Sequence, residues 1–307
     1  TKIVDTGNAA RENVLAAVPD ELLKNSDGKF TFAAHCYNGP GLALVDFGLY
    51  KQSVDAIIMP QTAVQTSADV QATRTIYDFT CGGVDLKLTF AAPLFLENLE
   101  LGSRPVNYVT YEVKSNDGAE HDVEVYFEAS ADWARNMPTQ KSISTVEADE
   151  QFNYVKSGTE SQRVLRHRGD DIRIDWGYFY MAADKQTANA VGESVALRKA
   201  FAANGEVASA GEGTQMALSK KLGKVGATEV SNYIMVGYDD LYSIQYFREN
   251  IRPYWNRTGD VTIESQFEAA NKEYKTLAKK ATEFDYALMQ EAIEAGGKKY
   301  AELCALA

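Results

Sequence analysis

The chain has 307 residues, and its 43 acidic and 31 basic side chains give a net charge of −12. An acidic surface repels phosphate backbones and anionic lipid headgroups, which argues against nucleic acid and membranes as partners. No stretch approaches the roughly 18 apolar residues of a membrane-spanning helix. A chain of this length can bury about three quarters of its unfolded surface, so its core needs neither disulfide nor metal.

Residues 1–54 precede a strand-rich region and are expected to join its sheets. Ala, Leu and Val recur at helical spacing over residues 8–18. The three cysteines, Cys36, Cys81 and Cys304, stand far apart and lack the spacing of metal ligands. We expect three buried thiols, because cysteine is among the most buried residue types, and a disulfide between Cys36 and Cys81 stays open as an alternative.

Residues 55–261 read as one strand after another. A Gly-Gly turn joins residues 75–80 to residues 84–90, in which apolar and polar side chains alternate, and this pattern predicts a hairpin. A Ser-Asn-Asp-Gly turn separates residues 106–114 from residues 123–127 and predicts a second hairpin.

A third predicted hairpin uses Gly169, Asp170 and Asp171 as its turn, ahead of an alternating strand over residues 172–180. Residues 183–215, rich in Ala, Gly, Glu and Ser, predict a long loop or a short helix. Parallel sheets need crossover helices, and the sequence offers almost none. The predicted fold is therefore mainly β: a large two-layer antiparallel β-sandwich over residues 55–261.

The hydrophobic period changes from two to about 3.6 at Thr262, which predicts a helical linker over residues 262–307. Thr262 and Ser265 are candidate N-caps, and the two glycines at 296–297 end the long helix before a second one begins at Lys298. The apolar seam of the long helix is Phe267, Ala270, Tyr274, Leu277, Ala281, Phe284 and Leu288.

The sequence carries no motif for a metal, a nucleotide or another cofactor. His35, His121 and His167 lie in separate segments without a second ligand nearby, so we expect no metal site. Gly-rich phosphate loops and the nucleophile elbow of serine hydrolases are absent, so we expect no cofactor.

Paired carboxylates are the one catalytic chemistry that these residues allow. A glycosidase uses two of them, placed across a cleft. Adjacent carboxylates on a strand point to opposite faces and form no such pair, and Asp170 with Asp171 fits turn chemistry better. Asp239 and Asp240 stay weak catalytic candidates, against a structural role in capping a turn and pairing with Arg248 or Arg252. A further candidate pair is Glu128 with Asp132.

Residues 239–255 are unusually rich in aromatic side chains and carboxylates. Large rings are costly to leave in water, so we predict that Tyr242, Tyr246, Phe247, Tyr254 and Trp255 pack against the helical seam. The candidates for a contact between domains or for a cleft rim are Tyr242, Tyr246, Arg252, Tyr254 and Trp255. Three tryptophans could instead stack on sugar rings, although core packing is the favoured role of Trp133, Trp176 and Trp255.

Five segments together resemble one known family. They read ATRTIY at residues 72–77, SRPV at 103–106, GDDIRIDWGY at 169–178, DDLYSIQYF with RPYW within 239–255, and AGGKKYAELC at 295–304. In this order they are similar to the extracellular glutaminase family, over about residues 55–307.

The resemblance implies a parent hydrolase, extracellular or periplasmic, that converts L-glutamine to L-glutamate and ammonia. It implies a supersandwich-like N-terminal domain, a helical linker and a C-terminal α/α-barrel that lies outside this chain and holds most catalytic residues. No catalytic residue is therefore assigned here, and the expected partner is the barrel of the same parent chain.

Two other functions stay open. One is a carbohydrate-binding or glycoside-hydrolase accessory domain, and the other is a self-sufficient glycosidase that acts on a small-molecule or sugar substrate.

Overall fold

The computed structural model describes residues 61–306, apart from 138, 167–172 and 210–212, together with the isolated positions 19, 21 and 24. The chain divides into two compact units, Thr1–Ser53 and Val54–Ala307, and the architecture below is that of the second unit. The predictions for most of residues 1–54, including the helical pattern and Cys36, lie outside the described residues.

Within residues 61–306 the described chain has the α-helices α1 Leu99–Ser103, α2 Ser194–Asn204, α3 Ile263–Gly296 and α4 Lys298–Leu306, and two short 3-10 helices, Ala131–Ala134 and Tyr254–Asn256. Its strands are β1 Val64–Val70, β2 Arg74–Cys81, β3 Val84–Ala91, β4 Val106–Ser115, β5 His121–Ser130, β6 Ser142–Ala148, β7 Phe152–Thr159, β8 Tyr178–Asp184, β9 Ala188–Gly192, β10 Gln215–Val225, β11 Val230–Asp239, β12 Ile244–Tyr246 and β13 Glu249–Ile251.

The strands form two stacked sheets and a separate hairpin. The large sheet has the order β1-β2-β3-β4-β11-β8-β7-β6, the small sheet has the order β5-β10-β9, and β12 pairs with β13. Every strand pairing within the described residues is antiparallel. The predicted mainly-β antiparallel fold is confirmed.

The core of the sandwich lies between the two sheets. Val109 and Tyr111 of β4 and Met181 of β8 belong to one buried cluster with Met216 and Leu218 of β10. Side chains alternate along a strand, so the intervening residues of β4 face the opposite side of the large sheet. That side is also covered, which explains the large apolar groups on both faces of β4.

The predicted hairpin between residues 106–114 and 123–127 is wrong. β4 pairs with β3 and β11, whereas β5 pairs with β10 in the other sheet, so residues 115–118 carry the chain between layers. Turn chemistry cannot distinguish a hairpin from a layer crossing. The burial of both faces of β4 distinguishes the two arrangements, because a strand that is buried on both faces needs a central position in the large sheet.

The Gly-Gly hairpin is confirmed, since β2 and β3 pair with Cys81 opposite Val84 around Gly82, whose φ is 63°. The strand predicted from residue 172 begins only at Tyr178, while the turn proposed for it lies in the residues that are not described. Residues 183–215 contain the predicted short helix, α2, and also β9, whose small residues give little strand signal.

Helix α3 crosses the face of the large sheet that the small sheet leaves open. Its 34 residues span about 51 Å, and the Thr262 hydroxyl accepts the Ser265 amide as an N-cap. Its buried seam belongs to one cluster with Tyr108 and Tyr180 of the large sheet. The seam residues buried there are Phe267, Ala270, Leu277 and Ala281, as the helical period predicts. The prediction is wrong for Phe284, which is exposed.

Tyrosine side chains line the contact between α3 and the sheet. Tyr274 stacks on Tyr233 with ring centroids 3.8 Å apart, and the Tyr108 hydroxyl donates to the Ala270 carbonyl at 2.8 Å. Burial raises the pKa of Tyr108, and it raises the pKa of Tyr233 to about 12. These phenols therefore stay neutral and able to donate throughout the physiological pH range.

A buried carboxylate fastens the second half of α3 to the sheet. Asp285 is 1% exposed, and its Oδ1 accepts the Thr73 amide at 2.9 Å and the Thr73 hydroxyl at 2.8 Å. Its Oδ2 accepts Arg74 Nε at 2.7 Å, and Arg74 also donates to the Thr282 hydroxyl. The contact joins residues 212 positions apart in the chain.

Cys81 and Cys304 are half-buried, so the expectation of fully buried thiols is wrong for these two. Both lie at the ends of elements, where cover is incomplete: Cys81 ends β2, and Cys304 is near the end of α4. Burial and the neighbouring Asp85 carboxylate raise the pKa of the Cys81 thiol. Any disulfide between Cys36 and Cys81 falls outside the described residues.

None of the helices described is long and apolar enough to cross a membrane.

Asp285→Ala is expected to lower the free energy of unfolding by about 3 to 5 kcal/mol, because Arg74 loses its buried counter-ion. The matched control is Glu283→Ala on the same helix, whose exposed ion pair with Lys279 (3.7 Å) contributes about 0.5 kcal/mol or less. Urea unfolding of the two variants measures the difference. Equal losses of unfolding free energy in the two variants would show that the buried Asp285 carboxylate does not stabilise the contact between α3 and the sheet.

Candidate functional site at the aromatic hairpin

The two adjacent carboxylates at the end of β11 shape the chain as it leaves the sheet. Asp239 Oδ1 accepts the Leu241 amide at 2.9 Å, and Asp240 Oδ2 accepts the Ser243 hydroxyl at 2.6 Å. Leu241, between these contacts, has a φ of 56°. Both carboxylates therefore support a tight, left-handed turn, and the pairing predicted with Arg248 or Arg252 is replaced by these contacts.

The pKa of Asp239 is raised above its usual value. Burial raises its pKa most, the Leu241 amide opposes that rise, and Asp240 and Glu264 add to it. Lys156 opposes the rise weakly, and its ammonium lies 4.3 Å from the centre of the Tyr178 ring. A half-buried carboxylate with this environment is a common feature of functional sites, but ion-pair networks produce it as well.

Trp176 and Gly177 lock the turn to the sandwich. The Trp176 indole N–H donates to the carbonyls of Asp240 (2.8 Å) and Tyr242 (3.1 Å), and its ring is buried. A Cβ at Gly177 would lie 2.2 Å from the Asp239 carbonyl oxygen. The Gln162 side chain accepts the Gly177 amide at 2.7 Å. We call Gln162, Trp176 and Gly177 the latch.

Beyond the latch, β12 and β13 form a hairpin whose tip is exposed. Tyr246 is 61% exposed and Phe247 is 84% exposed, and their rings meet edge to face with centroids 4.5 Å apart. Phe247 and Arg248 form the turn with φ values of 46° and 70°. Two successive residues with side chains in this region cost about 1 to 2 kcal/mol each, and Asn-Gly is the usual choice.

The chain after the hairpin returns to the core at Trp255. Trp255 is buried in one cluster with Ile263 and Phe267 of α3, as predicted. Arg252 lies over the Tyr242 ring at 4.8 Å, and Tyr254 remains exposed.

The predicted packing of five aromatic rings against the seam is thus wrong for Tyr246, Phe247 and Tyr254, and Tyr242 contacts Arg252 rather than belonging to the cluster of the seam. The two-residue turn points the tip rings outward, and α3 meets tyrosines of the large sheet instead.

The other sequence candidates do not form a catalytic pair in the described residues. Glu128 accepts Arg198 Nε at 2.8 Å, whereas Asp132 pairs with Arg135. A cavity of about 210 Å³ between α3 and the large sheet is lined by neither Asp239 nor Asp240. Among the residues described, no group of three or more His, Cys, Asp and Glu could hold a metal ion.

The described residues define an antiparallel β-sandwich domain with a long helix fastened across one face. A family model described as "Domain of unknown function (DUF5127)" matches residues 73–291, and the chain belongs to this family.

A curated relative, Glutaminase A of Aspergillus oryzae (strain ATCC 42149 / RIB 40), is 26% identical over 270 residues. The match covers 82% of this chain and 38% of that relative, so the chain spans well under half of its length. A solved structure whose description names a kojibiose phosphorylase from the human microbiome aligns with a TM-score of 0.35 at 10% identity. That alignment covers 71% of this chain and 23% of the other.

The sequence predicted most of this region, but not the residues whose hydrogen bonds fix α3 and the turn after β11 to the sheet. The segment at residues 72–77 stood out without a role, and the structure shows that Thr73 and Arg74 bind Asp285. Gln162 carried no signal, because a lone glutamine in a loop belongs to no motif. The turn at Phe247 and Arg248 could have been found from the two-residue spacing between strand-like triplets.

Gly177→Ala should cost more stability than Gly118→Ala, although both glycines have a φ of 81°. A Cβ at Gly118 meets nothing within 4 Å, whereas one at Gly177 collides with the Asp239 carbonyl. The expected difference is about 1 to 3 kcal/mol in the free energy of unfolding, measured with urea. Equal losses would mean that the close approach of the two chains is not required.

Asp239→Asn should raise the melting temperature at pH 7, and the gain should vanish below about pH 3.9. Because the folded pKa of Asp239 is raised above its unfolded value, ionisation favours the unfolded state. This penalty begins as the pH rises through the unfolded pKa and is complete above the folded pKa.

Asp117→Asn is the control of opposite sign, since a hydrogen bond from His121 lowers the pKa of Asp117 to about 2. That variant should lose stability at pH 7, and the loss should fade as the pH drops towards 2. Calorimetry across this pH range checks both signs, and a wild-type Asp239 that stabilises the fold at pH 7 would contradict the assignment.

Proposed function

We propose that this chain is the non-catalytic β-sandwich domain of a secreted or periplasmic glutaminase-like hydrolase. In this proposal the domain packs against a helical barrel of the same parent polypeptide and shapes the rim of its cleft. The parent hydrolyses L-glutamine to L-glutamate and ammonia, without a cofactor bound to this domain. The similarity to the relative named Glutaminase A supports the substrate.

One observation carries the domain's role: the candidate residues meet structural needs rather than catalytic ones. Asp239 and Asp240 hold a turn through the Leu241 amide and the Ser243 hydroxyl. A pair of glycosidase carboxyls must instead face each other across about 5 to 9 Å of open cleft. Catalysis in the parent is accordingly assigned to residues outside this chain.

The long helix suits the linking role in this proposal. α3 is buried against the sheet along its seam, and the Asp285 carboxylate fastens its second half. Apolar side chains nevertheless stay exposed on its last turns and on α4, such as Tyr286, Leu303 and Leu306. Exposed apolar groups next to a rigid helix fit a surface that another domain covers.

The purified 307-residue chain should release no ammonia from glutamine, because the residues that the structure describes offer neither an activated nucleophile nor an acid–base pair. A coupled ammonia assay measures this, with the intact parent protein as the active control. Turnover by the isolated chain that disappears in Asp239→Asn or Asp240→Asn would overturn the non-catalytic role. A parent that is inactive on glutamine would overturn the substrate.

A carbohydrate-binding accessory domain is the second candidate, and Trp133 favours it. Its indole is 70% exposed and stacks on Phe179 with centroids 5.9 Å apart, which holds the ring flat and open. Asp132 and Arg135 beside it supply polar groups for sugar hydroxyls. The two tryptophans Trp176 and Trp255 are buried and are core residues.

Titration calorimetry with oligosaccharides tests the carbohydrate candidate. Binding that is lost in Trp133→Ala but kept in Phe247→Ala, which removes another exposed ring, would support it. The absence of heat with all sugars would exclude it.

A further inference from the structure

Within the part of the chain that the structure describes, no layer covers the hairpin formed by β12 and β13. All of residues 244–251 are exposed, including the apolar side chains of Ile244 and Ile251. An isolated two-stranded hairpin is at best marginally stable in water. A protein that keeps such a hairpin, with aromatic rings at its tip, has a surface suited to a partner.

The turn of the hairpin has an unfavourable sequence for its geometry. Phe247 and Arg248 both adopt positive φ, where glycine or asparagine would be relaxed. Strain of this kind persists where the surrounding structure or a function requires the side chains. Here the side chains are a nearly fully exposed phenylalanine and an arginine. We therefore attribute the strained turn to a function of these two exposed side chains.

The base of the hairpin is held rigidly. The latch residue Trp176 donates to the carbonyls of Asp240 and Tyr242, and Arg252 lies over the Tyr242 ring. The Ser243 amide donates to the Ile251 carbonyl at 2.9 Å and closes the hairpin. The tip therefore has a fixed position relative to the sandwich, which lowers the entropic cost of docking.

The hairpin itself, residues 244–251, carries one arginine and one glutamate, and two further arginines follow it. Residues 242–257 contain three arginines and one glutamate, a net charge of +2, against −12 for the chain. Arg252 and Arg257 lie over the rings of Tyr242 and Tyr254, and Arg257 also pairs with Glu100. Within the described residues, no carboxylate pairs with Arg248, so its guanidinium is available to a carboxylate elsewhere.

We propose that the tip, Tyr246, Phe247 and Arg248, docks onto a carboxylate-bearing apolar surface of the helical domain in the same parent polypeptide. The proposal rests on the proposed function, because that function supplies the second domain. Phe247 enters an apolar recess there, and the Arg248 guanidinium binds a carboxylate at its rim.

The small size of the tip favours a partner in the same chain. A stable contact between separate proteins buries about 800 Å² on each side, which is more than three side chains provide. A covalently linked domain docks at an effective concentration in the millimolar range and needs far less area. The relative's length leaves room for such a domain, since the match covers 38% of it.

Hydrogen exchange of residues 244–251, followed by mass spectrometry, tests the docking in the intact parent protein and in the 307-residue chain. We expect exchange to be at least about tenfold slower in the parent, because docking adds to the local opening cost. Phe247→Ser should abolish that protection, and Ile143→Ser, which alters an exposed apolar residue of β6, should keep it.

A double variant, Phe247→Asn with Arg248→Gly, separates docking from hairpin stability. The double variant relaxes the turn, so exchange in the 307-residue chain should be slower than in the wild-type chain. In the parent, the variant hairpin should be no better protected than in the 307-residue chain, because the docking side chains are gone. Equal exchange of the wild-type hairpin in both proteins would overturn the proposal. Protection that appears in the 307-residue chain and grows with its concentration would also overturn it, in favour of a second copy.

This readout does not depend on catalysis. A parent that protects the hairpin but leaves glutamine intact would contradict the substrate assignment alone. A parent that hydrolyses glutamine with an unprotected hairpin would contradict the docking alone.

Discussion

The buried carboxylate of Asp285 is the constraint on which the arrangement of helix and sheet depends. A charge removed from water is costly unless it is paired and hydrogen-bonded, and Asp285 receives the Thr73 amide, the Thr73 hydroxyl and Arg74 Nε. These donors lie at the start of β2, which is held between β1 and β3, so their position on the sheet is fixed. The helix can satisfy its own buried charge in one register only, so the contact selects position as well as stability.

Hydrophobic burial and hydrogen bonding both attach α3 to the sheet, and they have different effects. Apolar contact is non-directional, and a seam of Phe267, Ala270 and Leu277 alone would tolerate sliding along the sheet. Tyr108 prevents this in the first half, since its hydroxyl donates to the Ala270 carbonyl, and Tyr274 adds a contact with the Thr110 hydroxyl at 2.8 Å. Together with Asp285 these bonds fix the helix at three successive points. The latch fixes the aromatic hairpin in the same manner, by directional bonds from buried side chains.

Patterns with a short period were predictable from the sequence, and contacts distant in sequence were not. The Gly-Gly hairpin and the seam of α3 follow from local periodicity and turn residues; the hairpin is confirmed, and the seam is confirmed from Phe267 to Ala281. The pairing of β4 and β5 was predicted wrongly, because the same turn chemistry serves a hairpin and a crossing between sheets. The contact of Asp285 with Thr73 spans 212 positions, and a single carboxylate in a helix gives no sign of its partner. At the candidate site, the exposure of Tyr246 and Phe247 escaped prediction, because a hydrophobic side chain ordinarily indicates burial.

Helix α3 is an integral layer of this domain rather than a tether. Hydrogen exchange of residues 265–290 in the 307-residue chain tests this most directly. If the helix is fixed to the sheet, these amides open only with the sandwich, and their exchange free energies match those of the central strands β4 and β11. Rapid exchange throughout residues 265–290, with β4 and β11 still protected, would contradict the account.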